Sequence, residues 1–147
     1  MVLLVILLAT LMATTLMTIF SHFLTRRMKM IFNEAHLLNI LFDRTKGLRK
    51  KRENHNHIIG WSVHFGVGSM MAIALYFLFL TPFLMNTFLK ALGWGIFAGG
   101  LGIIGWLLLF NVYGVPERTS RRAFFIQLIF AHIIFTLTCY AVFRSFS

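Results

Sequence analysis

Four long apolar runs organise the chain, separated by two basic stretches and one uncharged one. The first, Met1 to about Leu24, has Thr10, Thr14, Thr15, Thr18 and Ser21 as its only hydroxyls. The others cover about 58–80, 88–113 and 123–143. An α-helix rises about 1.5 Å per residue, so roughly 20 apolar residues cross the hydrocarbon of a bilayer. Each run therefore predicts a transmembrane helix. Thr81-Pro82 closes the second, because proline disfavours helical geometry in the residue before it. The first run has no basic segment ahead of it and no small-x-small cleavage site, so it reads as a retained span, not a secretory signal.

Between the first two runs, residues 25–57 show a different period. Met28, Ile31, Phe32, Ala35, Leu38 and Phe42 recur at helical spacing and share one face, with Asn39 intruding and Met30, Leu37 and Ile40 falling off it. The pattern predicts an interfacial amphipathic helix over about 28–46, ending near Gly47 and lying in the membrane plane. A surface that docks a partner is the alternative for this helix. The expected fold class is thus all-α: a polytopic membrane protein with four transmembrane helices and a cytoplasmic interfacial helix, in a single domain over 1–147.

Composition agrees with the pattern. The chain is 59% hydrophobic and 12% charged, half the charged fraction of about 25% usual in soluble proteins. The net charge of +10 would point to nucleic acid in a soluble protein. Here the bases fall in the connections, where lipid headgroups and threading account for them. The first connection carries nine (Arg26, Arg27, Lys29, Arg44, Lys46, Arg49, Lys50, Lys51, Arg52) and the third carries three (Arg118, Arg121, Arg122), while the second carries none. Arg26, Arg27, Lys29, Arg49, Lys50, Lys51 and Arg52 are the expected contacts to anionic lipid. Basic connections stay in the cytoplasm, so both termini are expected outside. The single Cys139 allows no intrachain disulfide.

That threading lets side chains be compared by depth. His64 lies six residues into the second run, roughly 9 Å deep, and His132 about nine residues into the fourth, roughly 14 Å deep. Thr14, Thr15 and Thr18 reach the same inner half, as do Ser69, Trp106, Asn111 and Gln127. The expectation is a polar cluster of His64, His132, Thr14, Thr15, Thr18 and Ser69 facing the bundle interior, since polar groups in lipid need partners. Hydrogen-bonded packing between helices is the plainest role for it. Two imidazoles on facing helices could instead clasp a haem b iron, with Gly66 and Gly68 leaving space for the macrocycle. No other cofactor or metal is expected.

All four acids, Glu34, Asp43, Glu53 and Glu117, fall in connections. That argues against proton or cation coupling inside the membrane. His55-Asn56-His57 beside Glu53 fits no zinc spacing, and no nucleophile elbow, phosphate loop or carboxylate pair appears. An enzyme is not expected.

Gly95-Ile96-Phe97-Ala98-Gly99 is a GxxxG; Ala98 with Gly102, and Gly68 with Ala72, repeat the small-xxx-small spacing. Such ridges let helix backbones approach closely. They predict the second and third spans packed on each other, with a homo-oligomer as the alternative. The run His64-Phe65-x-x-Gly68 ending at Tyr76, the glycine-rich third span, Pro116 and Ala131-His132 resemble small four-helix bacterial inner-membrane proteins of the YagU-like and related domain-of-unknown-function families. The resemblance implies a bacterial inner (plasma) membrane and a four-helix fold, and no activity. The expected role is a non-enzymatic accessory or scaffolding subunit packed against other membrane subunits, with a haem-binding electron-transfer protein using His64 and His132 as the alternative.

Overall fold

A computed structural model of the chain describes residues 1–45, 58–81 and 83–147. The described residues form five helices: α1 Val2–Met28, α2 Glu34–Thr45, α3 Ile58–Leu80, α4 Phe88–Tyr113 and α5 Arg121–Ser145. α1, α3, α4 and α5 are each long and apolar enough to cross a membrane. α3 and α4 coincide with the second and third apolar runs. α1 and α5 carry their arginines (Arg26, Arg27; Arg121, Arg122, Arg144) inside their end turns and so outlast the apolar pattern.

Side chains at the helix ends account for the boundaries. Thr87 and Ser120 are extended residues whose hydroxyls accept from Lys90 N and Ala123 N, capping α4 and α5. Asn33 Oδ1 accepts from His36 N at 3.1 Å and starts α2. α1 stops at Lys29, which takes a left-handed conformation (φ 54°). α4 stops at Gly114 (φ 76°). There the Arg44 guanidinium donates to the carbonyls of Tyr113 and Gly114 at 2.9 and 3.0 Å. A cation at a helix C-terminus also complements the helix dipole.

α5 is the central helix, packed against α4, α1 and α3, while α1 also meets α3. α1 turns one ridge inward, Val5, Ala9, Ala13, Met17 and Ser21, all buried and four residues apart. Ridges at that spacing seat in the grooves of a neighbouring helix. Among the described residues, α3 and α4 make no extended contact, and a cleft separates them. This corrects the expectation that the second and third spans pack on each other. The α4 glycines face α5 instead: a Cβ on Gly95 or Gly99 would sit 2.8 Å from the Cα of Ile133 or Ile129. Gly68 faces α1, where a Cβ would sit 2.5 Å from Thr14 Oγ1. Ala72 is fully buried and Ala98 half-buried.

α2 also departs from its expected form. It is shorter than the 28–46 helix, because Met28 ends α1 and residues 29–33 reverse the chain. Phe32, Asn33, Glu34, Ala35, Leu37, Asn39, Ile40 and Leu41 are all buried, including Leu37 and Ile40, which lay off the apolar face. α2 packs on α3 and α4 and plugs one end of the bundle. Asn39, the polar residue that intruded on the apolar face, has a structural role: its Oδ1 accepts from Gly60 N at 2.8 Å, a first-turn N–H of α3 that lacks an intrahelical partner. Arg49, Lys50, Lys51, Arg52 and the His55–His57 stretch lie outside the described residues.

Two apolar cores result. One joins Ala9, Ala13, Ala72, Leu75, Phe135, Cys139 and Phe143. The other joins Phe32, Leu37, Trp106, Phe110, Phe124 and Leu128 beside α2. Ser21, Glu34, His64 and Gln127 are among the buried polar side chains.

Candidate functional site

The polar layer begins at Glu34. It is the first residue of α2, and the reversal at 29–33 carries it back between α1 and α5, where it is 3% exposed. The reversal is held by Thr25 Oγ1, which accepts from Phe32 N at 3.0 Å, and by Arg118 O, which accepts from Ile31 N at 2.9 Å. Ser21 Oγ shares its proton between Met17 O at 3.0 Å and Glu34 Oε1 at 3.2 Å, and Oε1 also accepts from Gln127 Nε2 at 3.3 Å. Gln127 Nε2 also donates to Ser21 Oγ at 2.7 Å. Three helices thus meet in one small hydrogen-bonded triangle.

The triangle leaves atoms unused. Glu34 Oε2 and Gln127 Oε1 are buried and have no hydrogen-bond partner in the protein. Burial pushes the Glu34 carboxyl from its ordinary 4.5 up to about 7, against the opposing pull of its own backbone N–H, Gln127 and Ser21. A carboxyl so placed exchanges its proton near neutrality.

The second part of the layer is the histidine pair. His64 is buried on α3, and its Nε2 lies 3.0 Å from Thr18 Oγ1. The Thr18 hydroxyl can donate its one proton to Thr14 O at 2.7 Å. With the hydroxyl proton on Thr14 O, the Thr18 oxygen accepts from Nε2 of the neutral ring; with the proton turned to His64, Nε2 accepts instead. His132 on α5 donates from Nδ1 to Leu128 O at 2.8 Å, which leaves Nε2 as its acceptor. That nitrogen lies against Gly102, where a Cβ would come within 3.2 Å of it.

Glu34, His64 and His132 all line the cleft between α3 and α4, a cavity of about 590 Å³. Val63 and Val67 of α3 form one wall, and Gly102, Gly105, Trp106 and Leu109 of α4 the other. Leu128 of α5 and Met17 of α1 lie at its base, with Leu38 of α2 closing one end. At the rim, Val67, Leu108 and Val112 are 57%, 63% and 71% exposed, so the cleft opens sideways between two candidate membrane spans.

The expected cluster is thus partly assembled. Thr18 joins His64 directly, and Thr14 supports Thr18 through its carbonyl while its own hydroxyl lies buried against Gly68. Thr15 is exposed on the outer side of α1 beside Leu11, Met12 and Leu16. Ser69 spends its hydroxyl on Phe65 O at 2.9 Å. Neither lines the cleft. Gly66 has nothing within 4 Å of a built Cβ and faces away from His64. Arg26, Arg27 and Lys29 are exposed at the end of α1. His36 stands edge-on to Trp61, ring centroids 5.7 Å apart, beside a separate shallow groove with His22. Among the described residues, no group of three or more His, Cys, Asp or Glu could hold a metal ion.

Glu34 is the residue that sequence reasoning missed, because it was placed in a solvated connection. One signal pointed to it: residues 30–42 hold no lysine or arginine, inside a connection that carries nine. A base-free stretch with a single acid is what a segment folded back into the bundle requires. Comparison with known proteins returns no match, whether to a family model, a curated protein or a solved structure.

Proposed function

We propose that this is a non-enzymatic membrane protein that binds an amphiphilic, lipid-soluble ligand in the cleft between α3 and α4. The cleft carries the reading. Its volume of about 590 Å³ falls within the roughly 300–1,000 Å³ of small-molecule sites, which are apolar with a few placed polar groups. Its lateral opening gives a hydrophobic molecule entry from the bilayer. The described walls come from one chain, which favours this reading over the accessory-subunit role. Haem fits the side chains less well. A clasp between His64 and His132 through Nε2 needs that nitrogen free on each ring, and Nε2 of His64 is engaged by Thr18 at 3.0 Å. Cytoplasmic basic connections bound to anionic lipid belong to the same proposal and rest on the charge distribution, while a bacterial plasma membrane rests on the resemblance alone.

Gly105 offers a direct test, because it lines the cleft and a Cβ there meets nothing within 4 Å. Gly105→Phe fills the cleft without striking protein atoms near the backbone. Native mass spectrometry of protein released from bilayer nanodiscs is expected to show wild type with one retained amphiphile per chain. Gly105→Phe should fly bare, and Gly66→Phe, off the cleft, should behave as wild type. Equal retention by all three would overturn the reading.

A further inference from the structure

The polar atoms that internal hydrogen bonds leave unused along the cleft are mostly acceptors. Glu34 Oε2 is buried without a partner, and Nε2 of His132 is an acceptor because Nδ1 donates to Leu128 O; His64 holds Thr18 with Nε2 and leaves Nδ1 over. Trp106 adds one indole N–H and an aromatic face on the α4 wall. Among the described residues, no lysine or arginine lines the cleft, although the chain carries fourteen. The described basic side chains stand outside a site whose one carboxylic acid is buried.

From this we infer that the cleft selects an amphiphile with a primary ammonium head, its N–H donors directed at Glu34 and its alkyl chain along Val63, Val67 and Leu109. The inference rests on the proposed binding role and adds the headgroup. An alkyl carboxylate or phosphate would set negative charge beside Glu34. An apolar molecule would leave Oε2 as it stands, and unpartnered buried oxygens are costly. An ammonium supplies several donors and a compensating charge, and the face of Trp106 attracts cations. The same head occurs on a single-chain amine and on an ethanolamine phospholipid.

Ammonium binding requires the Glu34 carboxylate, so affinity rises with pH as the carboxyl loses its proton around 7. The groups that pack on it are Ser21 of α1 and Gln127 of α5, neither ionisable in this range. The titratable groups sharing the cleft are His64 of α3, His132 of α5 and Tyr113 of α4. Protonating either histidine adds positive charge and weakens ammonium binding, so both act in the same direction as Glu34.

The experiment uses the whole chain carrying Trp61→Phe and Trp94→Phe, so that Trp106 is the one fluorophore, titrated with dodecylamine, dodecanol and dodecanoate. Dodecylamine is expected to bind at least about tenfold more tightly than either of the others, the effect of one hydrogen bond to a charged group. Glu34→Gln should erase the preference while dodecanol binding and cooperative unfolding persist. Nanodiscs with ethanolamine lipid should compete with dodecylamine if a phospholipid is the source. Nanodiscs with choline lipid alone should not, and competition by neither assigns the site to a single-chain amine. Equal affinity for the three probes, blocked in each case by Gly105→Phe, overturns the headgroup and leaves the cleft. No response to any probe overturns both.

Discussion

A buried acid sets the terms at the scale of single residues. Glu34 is held by Ser21 and Gln127 through one oxygen only, and its raised pKa expresses the cost of charging it there. Unfolded, the group titrates near its ordinary 4.5; folded, near 7. Between those values the folded state keeps a proton that the unfolded state has lost, so stability falls as pH rises through the window and is level outside it. The full change amounts to about 3 kcal/mol, at about 1.4 kcal/mol per pKa unit. Glu34→Gln keeps the shape and removes the titration. Melting profiles of wild type and variant in detergent should converge near pH 4.5 and separate toward pH 7, with the variant higher. Comparing the two cancels contributions common to both. Parallel profiles across that range would refute the assignment. His64 and His132 were legible in the sequence because an imidazole inside an apolar run is conspicuous. Glu34 was not, because its burial depends on a chain reversal that no local pattern encodes.

The helices themselves were easier to read than their neighbours. Length and hydropathy place four spans, and Ser120 and Thr87 show where two of them start. An apolar face, however, says only that a helix covers something. For α2 the periodicity suited a helix lying on headgroups, whereas the reversal at Lys29 and the Asn39 contact to Gly60 fold it against the bundle and bury positions around its circumference. The small-residue ridge of α4 was likewise visible, but its partner was not, since the spacing fits any helix close enough. Its orientation makes a sharp prediction. Gly99 lies against the backbone of Ile129, whereas Gly100, its neighbour, has nothing within 4 Å of a built Cβ. Gly99→Leu forces α4 off α5 and should cost about 1–3 kcal/mol, as overpacking does. Gly100→Ala should stabilise the helix by about 0.5–1 kcal/mol, because alanine loses less backbone freedom on folding. Steric-trap or thermal unfolding in micelles measures both. Equal effects at the two positions would mean that α4 presents a different face to α5.

At the scale of the whole molecule, the four candidate spans and the position of the bases combine into one statement about sidedness. An even number of crossings puts both termini on the same side. Arg26, Arg27, Arg44 and the Arg118–Arg122 turn all fall at the opposite end, where α2 also lies, so these bases, the plug and Glu34 share one end of the bundle, while Lys90 and Arg144 lie at the other. Under the proposed reading, the positive-inside tendency assigns the end that holds α2 to the cytoplasm. Under that assignment the acid of the cleft lies near the cytoplasmic leaflet, and the proposed amphiphile would enter with its head toward that leaflet and its chain toward the midplane. Single cysteines report this directly. In a Cys139→Ser background, which removes the buried native thiol, Ser147→Cys at the exposed C-terminus should react with a membrane-impermeant maleimide on intact spheroplasts. Glu117→Cys, exposed on the basic turn, should react only after lysis. The reverse pattern would invert the molecule and move the cleft's acid to the outer leaflet. Reaction of both, or of neither, before lysis would break the count of four crossings on which the sidedness rests.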